Sequence, residues 1–133
     1  MANKLDREVR LTFLGIDDDT RQALKSFTPV LEATLPKLLE RFYTHMAANP
    51  ETRAMLSGVP IDHLKSAQSR HWTGLFAGTF DEAQLEHTVA IGTTHQRIGL
   101  EPRWYIGGYA FVLNELVRLL SERAGLGGRR RLA

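Results

Sequence analysis

A chain of 133 residues, 43% hydrophobic and 24% charged, has the length and composition of one globular domain with its own core, and no apolar run reaches the length of a membrane span. It has no cysteine, which excludes disulfides, thiolate metal ligands, iron–sulfur clusters and thioether attachment of a prosthetic group, and which fits a cytoplasmic setting. The net charge of +2 includes Arg129, Arg130 and Arg131; without them the balance is −1, so the basic end reads as a solvated tail and not as the basic face of a nucleic-acid binder.

The periodicity is helical throughout, and no stretch alternates as a strand does. The N-terminus is too charged for a secretory leader, and residues 1–16 read as an irregular lead-in ending at Gly15. Asp17, Asp18 and Asp19 suit the cap and first turn of a short helix reaching Ser26. Thr28 then caps a second helix with Pro29 at its first position, carrying Val30, Leu31, Leu35, Leu38, Leu39, Phe42, Tyr43 and Met46 at helical spacing and bending at Pro36. Asn49-Pro50 ends it and opens a short segment through Leu56, followed by the loop Ser57-Gly58-Val59-Pro60.

A helix from about Ile61 to Phe76 is capped by Asp62 and stopped by Gly78. The next starts at an Asp81 cap and ends at Gly99, and Pro102 opens the last, which reaches about Ala124 with an apolar stripe of Tyr105, Tyr109, Val112, Leu113, Leu116, Leu119 and Leu120. The fold class is all-α. Pattern alone leaves open whether the helices form a bundle or cross around a pocket.

Five histidines could ligate a metal: His45, His63, His71, His87 and His95. Two points favour His95. It shares a helical face with Ile91, Thr94 and Ile98, and it lies one turn before a helix end, close to the start of the helix carrying Trp104 and Tyr105. An axial imidazole must be neutral and needs an acceptor for its second nitrogen, for which a backbone carbonyl one turn back or the Tyr105 hydroxyl would serve. Tyr43, on the residues alone, reads as an amphipathic helix residue with its hydroxyl in water.

The run from His95 through Gly99, Pro102, Trp104 and Tyr105 to Gly108, with Phe42-Tyr43, His71-Trp72 and Phe76-Ala77-Gly78 before it, resembles the globin-coupled sensor and protoglobin family over roughly residues 15–124. The resemblance implies a globin-like fold of the sensor type around a non-covalent haem b. His95 would be the proximal iron ligand, Tyr43 the distal residue facing O2 or another diatomic gas, and Tyr105 a proximal partner of His95. Phe42, Leu64, Ala67, Gln68, Trp72, Ile91, Ile98, Trp104 and Tyr109 are candidate walls, each of which would equally serve as plain core. Some relatives place a second hydroxyl on the distal helix near Ala67, so here Tyr43 would act alone unless Gln68 supplies a second donor; on the residues alone Gln68 is expected to reach for the surface instead. Arg70, His71, Arg97 and Arg103 are the candidate partners of the haem propionates.

The implied organisation is a lead-in over 1–16, a sensor globin domain over 17–124 and a Gly/Arg-rich tail over 125–133, without the family's further long C-terminal helix. A homodimer through the C-terminal helix, with Tyr109, Leu113, Leu116 and Leu120 on its outward face, a signalling transmitter as partner, and neither nucleic acid nor membrane complete the expectation. Gly107-Gly108 inside a helix costs about 1 kcal/mol per glycine against alanine, so a close approach by haem, helix or second subunit is expected there. The competing readings are a haem enzyme, an NO dioxygenase or a peroxidase with His71 as its acid–base group, and a haem-free helical dimerisation module. Rapid NO consumption would mark the first, a colourless protein tolerant of His95→Ala the second.

Overall fold

The computed structural model describes residues 4–123 as six helices, with no strand among them: α1 (Lys4–Phe13), α2 (Asp18–Ala48), α3 (Pro50–Leu56), α4 (Ile61–Phe76), α5 (Glu82–Arg97) and α6 (Pro102–Arg123). The Gly/Arg-rich tail lies outside the described residues. No described helix is long and apolar enough to cross a membrane.

Two expectations about the first third of the chain are overturned. The stretch before Gly15 is helical, not irregular, with Leu11 buried and Leu5, Val9 and Phe13 exposed. The two helices expected on either side of Thr28 are one, capped by Asp17, whose carboxylate accepts from the Thr20 amide at 2.9 Å. Thr28 is therefore no cap and Pro29 no first-turn residue. A proline inside a helix withholds one hydrogen bond from the carbonyl four residues back and normally disrupts it. Here Pro29 and Pro36 stand seven residues apart on the outer face, and they, Lys25 and Glu32 are all exposed, so solvent can serve the freed carbonyls. On the inner face Leu31, Leu35, Leu38 and Leu39 are almost wholly buried, and that burial holds the helix through the breaks.

α2 is the hub, packing against α4, α3 and α6. Its start meets the end of α4, where the Phe27 and Phe76 rings lie 5.5 Å apart and the Thr28 hydroxyl is 3.4 Å from the Phe76 carbonyl. Gly78 permits this contact in two ways. Its φ of +72° is open to glycine, and a Cβ there would stand 2.9 Å from the Arg21 carbonyl oxygen. On the other side, α6 rests Val112 and Leu116 on the core and pairs Glu115 with Arg41 of α2 at 3.1 Å and with Arg118 at 2.9 Å.

Asp62 does not cap α4. Pro60 holds the cap position without a side-chain hydrogen bond, and Asp62 sits in the first turn, where its charge complements the helix dipole. The expected cap of α5 is present, Asp81 accepting from the Gln84 amide at 2.9 Å, and Asn49, expected only to end α2, also caps α3 by accepting from the Glu51 amide at 2.9 Å. The outward stripe of α6 is Ile106, Leu113, Val117 and Leu120; Leu116, expected on it, turns into the core at 8% exposure.

Candidate functional site

α5 buries none of its own residues and does not pack closely on α2. Between it and α2, α4 and α6 lies a cavity of about 460 Å³, within the range of cofactor sites. All twelve residues expected at the site line it. Phe42 and Tyr43 come from α2; Leu64, Ala67, Gln68 and Trp72 from α4; Ile91, His95 and Ile98 from α5 and its cap; and Trp104, Tyr105 and Tyr109 from α6. A second concavity of about 480 Å³, between α2, α3 and the start of α4 and also touching Tyr43, is open to solvent and has no histidine in its walls.

His95 is fixed by the way α5 ends. Ile98 is the C-cap and Gly99 follows at φ +76°. The Leu100 amide donates back to the His95 carbonyl at 2.9 Å, and the Gly99 amide donates to Gln96 at 3.1 Å. This double closure needs a residue in the left-handed region at Gly99. It also turns the chain so that α6 begins beside the last turn of α5. As a result the Tyr105 ring stacks on the His95 imidazole, with centroids 6.0 Å apart and planes 15° from parallel. Their contact is therefore ring on ring. Burial holds the His95 imidazole below the ordinary histidine range, so it is neutral at neutral pH with a lone pair available.

Across the cavity, Tyr43 is 8% exposed, and the reading that leaves its hydroxyl in water does not hold. Burial pushes its phenol above the ordinary tyrosine value, opposed by the Gln68 side chain, so the hydroxyl keeps its proton. Gln68 does not reach for the surface. Its carbonyl oxygen accepts from the Trp72 indole at 2.9 Å, which orients the amide and anchors Trp72 one turn on. Gly108 shows why a glycine stands inside α6: a Cβ there would meet the Phe42 ring at 3.4 Å, so Phe42 lies against the α6 backbone. Gly107 has no such neighbour.

A third polar group sits between α4 and α5. His71, 7% exposed, places Nε2 3.2 Å from the Tyr109 hydroxyl, and its ring centroid is 5.8 Å from that of His87. Burial, with smaller contributions from the charges of His87 and His95, holds it below the ordinary histidine range. Its Nδ1 is buried without a hydrogen-bond partner, as is Nε1 of Trp104.

These features coincide with similarities to known proteins. A family model described as Protoglobin matches residues 4–132. The chain belongs to the protoglobin family. Over 115 residues it is 34% identical to the Heme-based aerotactic transducer HemAT of Halobacterium salinarum (strain ATCC 700922 / JCM 11081 / NRC-1), a match covering 85% of this chain and 24% of that protein. The chain therefore spans well under half of that relative. Its fold matches the globin domain of the Geobacter sulfurreducens globin-coupled sensor with a TM-score of 0.79 at 23% identity, covering 92% of this chain and 79% of that one. At that identity the likeness is one of fold, and the architecture is that of a globin domain.

Within this protoglobin fold the cavity also takes residues that sequence reasoning did not place there, among them Met46, Met55, Val59, His87, Leu100 and Val112. Met46 was legible as part of the α2 stripe, and Leu100 as the apolar residue that follows a glycine helix stop. Val59 sits in a loop and Met55 in a seven-residue helix, too short for any periodicity to give a direction. Of the four expected propionate partners, Arg70 and His71 line the cavity. Arg97 and Arg103 do not, and Arg103 pairs with Glu51 and Glu101 and lies over the Trp104 ring at 4.7 Å.

Proposed function

We propose that this globin domain holds haem b non-covalently in the cavity between α5 and α2, binds O2 and other diatomic gases there, and serves as the input of a cytoplasmic signalling protein. The observation that carries the reading is a neutral imidazole, His95, on one wall of a largely apolar cavity that has a protonated phenol, Tyr43, in another. The donor set fits such a group. No cluster of three or more His, Asp or Glu side chains suited to a bare metal ion occurs among the described residues. A macrocycle that brings four nitrogens of its own asks the protein for a single axial imidazole. Without cysteine, attachment is non-covalent.

When bound, the haem supplies an iron centre with a position open to a small gas. His95 Nε2 or Nδ1 would hold the iron, and the Tyr105 ring, stacked on the imidazole, limits its rotation. Tyr43 would donate its hydroxyl hydrogen to a gas that carries partial negative charge in the bound state. A hydrogen bond to a charged acceptor contributes roughly 1.5–3 kcal/mol, and a ligand that stays nearly neutral, such as CO, gains little. Phe42, Leu64, Ala67 and Ile91 exclude water and so strengthen that bond. Gln68, with its carbonyl committed to Trp72, keeps its amide hydrogens for Tyr43 or for the ligand.

The exposed stripe of Ile106, Leu113, Val117 and Leu120 on α6 supports a homodimer through that helix. Similarity to an aerotactic transducer supports a transmitter as the partner and sensing, not turnover, as the role. The test is the absorption spectrum of the purified chain with haem, ferric, ferrous and ferrous under O2 or CO, beside His95→Ala and Tyr43→Phe. A Soret band that depends on His95, and O2 release that quickens in Tyr43→Phe, are expected. A protein that stays colourless, or a spectrum indifferent to His95→Ala, overturns the reading.

A further inference from the structure

One hydrogen bond in the cavity wall has only one possible direction. The Trp72 indole nitrogen donates to the Gln68 side-chain carbonyl at 2.9 Å, one turn back on α4. An indole can only donate, whereas a carboxamide has an oxygen that accepts and a nitrogen that donates. The Gln68 oxygen must therefore face Trp72, and its NH2 group must face the other way. Trp72 is not free to swing and release it. The indole is 9% exposed and lies in T-shaped contact with the Tyr109 ring at 5.4 Å and the His71 ring at 5.6 Å. Tyr43, from α2, lines the same cavity as both residues. Gln68 opposes the effect of burial on the Tyr43 phenol, as a donor to the phenolic oxygen does. A phenol has a single hydrogen, and once Gln68 donates to its oxygen that hydrogen finds no acceptor on Gln68.

We propose that Trp72 and Gln68 are positioning residues for the gas: the indole aims the carboxamide, the carboxamide donates to Tyr43, and the Tyr43 hydrogen is thereby left to point into the cavity. The assignment rests on the haem reading above and goes beyond it, because a phenol without such a neighbour is free to turn its hydrogen either way. The chain of bonds runs from Trp72 to Gln68 to Tyr43 with every donor facing forward. The opposite sense would need the indole nitrogen to accept, which it cannot do. Hydrogen bonds that run in one sense polarise one another, so the two behind Tyr43 strengthen it as a donor. Gln68 accordingly acts on the gas through Tyr43 and is not a second donor beside it.

The experiment measures O2 and CO release by stopped flow from the haem-loaded chain and, in the haem-free chain, the ultraviolet titration of the phenol component that Tyr43→Phe removes. It compares the unsubstituted chain with Trp72→Phe, Gln68→Leu, Tyr43→Phe and the pair Gln68→Leu with Tyr43→Phe. Trp72→Phe keeps an aromatic ring and deletes one donor, so the carboxamide is released to rotate and take the Tyr43 hydrogen. O2 release is expected to quicken roughly 2- to 10-fold in Trp72→Phe and in Gln68→Leu, the range that one neutral hydrogen bond spans. CO release and the far-ultraviolet circular dichroism should change little. In the haem-free chain the Tyr43 phenol should titrate at higher pH in both variants. Once Tyr43 is phenylalanine, adding Gln68→Leu should quicken O2 release no further. Unchanged O2 release in Trp72→Phe, equal quickening of O2 and CO, or a further gain from Gln68→Leu in the Tyr43→Phe background overturns the chain of bonds and leaves the haem reading intact. A protein that takes up no haem overturns the haem reading and, with it, any part for Trp72 and Gln68 in holding a gas. An unshifted phenol in Gln68→Leu overturns the bond to Tyr43 whether or not haem binds.

Discussion

α2 and α5 are both amphipathic helices with a side-chain N-cap, yet they do opposite work. α2 buries Leu31, Leu35, Leu38 and Leu39 to 3% exposure or less and meets three other helices. α5 buries nothing of its own, and Ile98 at its end is 53% exposed although it lines the cavity. An apolar stripe on a helix shows that something covers it. It does not say whether the cover is protein or ligand. In this fold α2 is covered by protein, and α5 presents its stripe to the space where we place the haem.

The contrast is broken most directly by truncation on the two helices. Leu31→Ala is expected to cost about 2–5 kcal/mol in a urea titration of the haem-free chain, because a fully buried leucine leaves a cavity that its neighbours only partly close. His95→Ala should move the same midpoint by less than about 1 kcal/mol and yet abolish the haem spectrum. A large loss of stability in His95→Ala would make α5 a core helix and remove the distinction. Haem itself sharpens it. At a hundredfold excess over its dissociation constant, a ligand bound only by the folded state adds about 2.7 kcal/mol. Hydrogen exchange should show the gain in protection concentrated in α5, with α2 already slow before haem is added.

Smaller effects divide the polar residues of the same cavity. Tyr43→Phe is expected to speed O2 release roughly 10- to 100-fold, as loss of a charge-assisted bond implies, with CO release changed far less; stopped-flow displacement checks both. The smallest effect is the pH dependence of the haem-free fold. His71 has a folded-state pKa below its ordinary 6.5 because it is buried. A depressed value means that stability is intact above 6.5 and is lost as the pH falls through the lower folded value, since the unfolded chain then binds the extra proton. Urea midpoints measured from pH 8 to pH 5 should fall on the acid side, and less steeply in His71→Gln.

How much of this was legible follows the same division. The caps at Asp17 and Asp81, the break at Asn49-Pro50, the stop at Gly99 and the opening at Pro102 are local chemistry, and each stands where the residues put it. Position 29 was misread because a proline after a threonine has the local signature of a helix start. What overrode it was burial of leucines on the far side of the helix, with the carbonyl that the proline leaves unpaired turned to solvent. Asp62 was misread for a similar reason: with Pro60 in the cap position, the acid falls in the first turn. The lead-in before Gly15, expected to be irregular, is helical.

By itself the sequence determined the helical class, most of the helix ends and which residues have an apolar side, since propensity, capping and period act over a few neighbours. It also named, through the resemblance, the residues that meet at the cavity. Only the tertiary structure decided the environment of each. It buried Tyr43, tied Gln68 to Trp72, stacked Tyr105 on His95, drew Arg103 away to Glu51 and Glu101, and left Arg70 unpaired at the cavity edge. Those outcomes depend on which groups from distant parts of the chain compete for the same partner, and no local pattern encodes that competition.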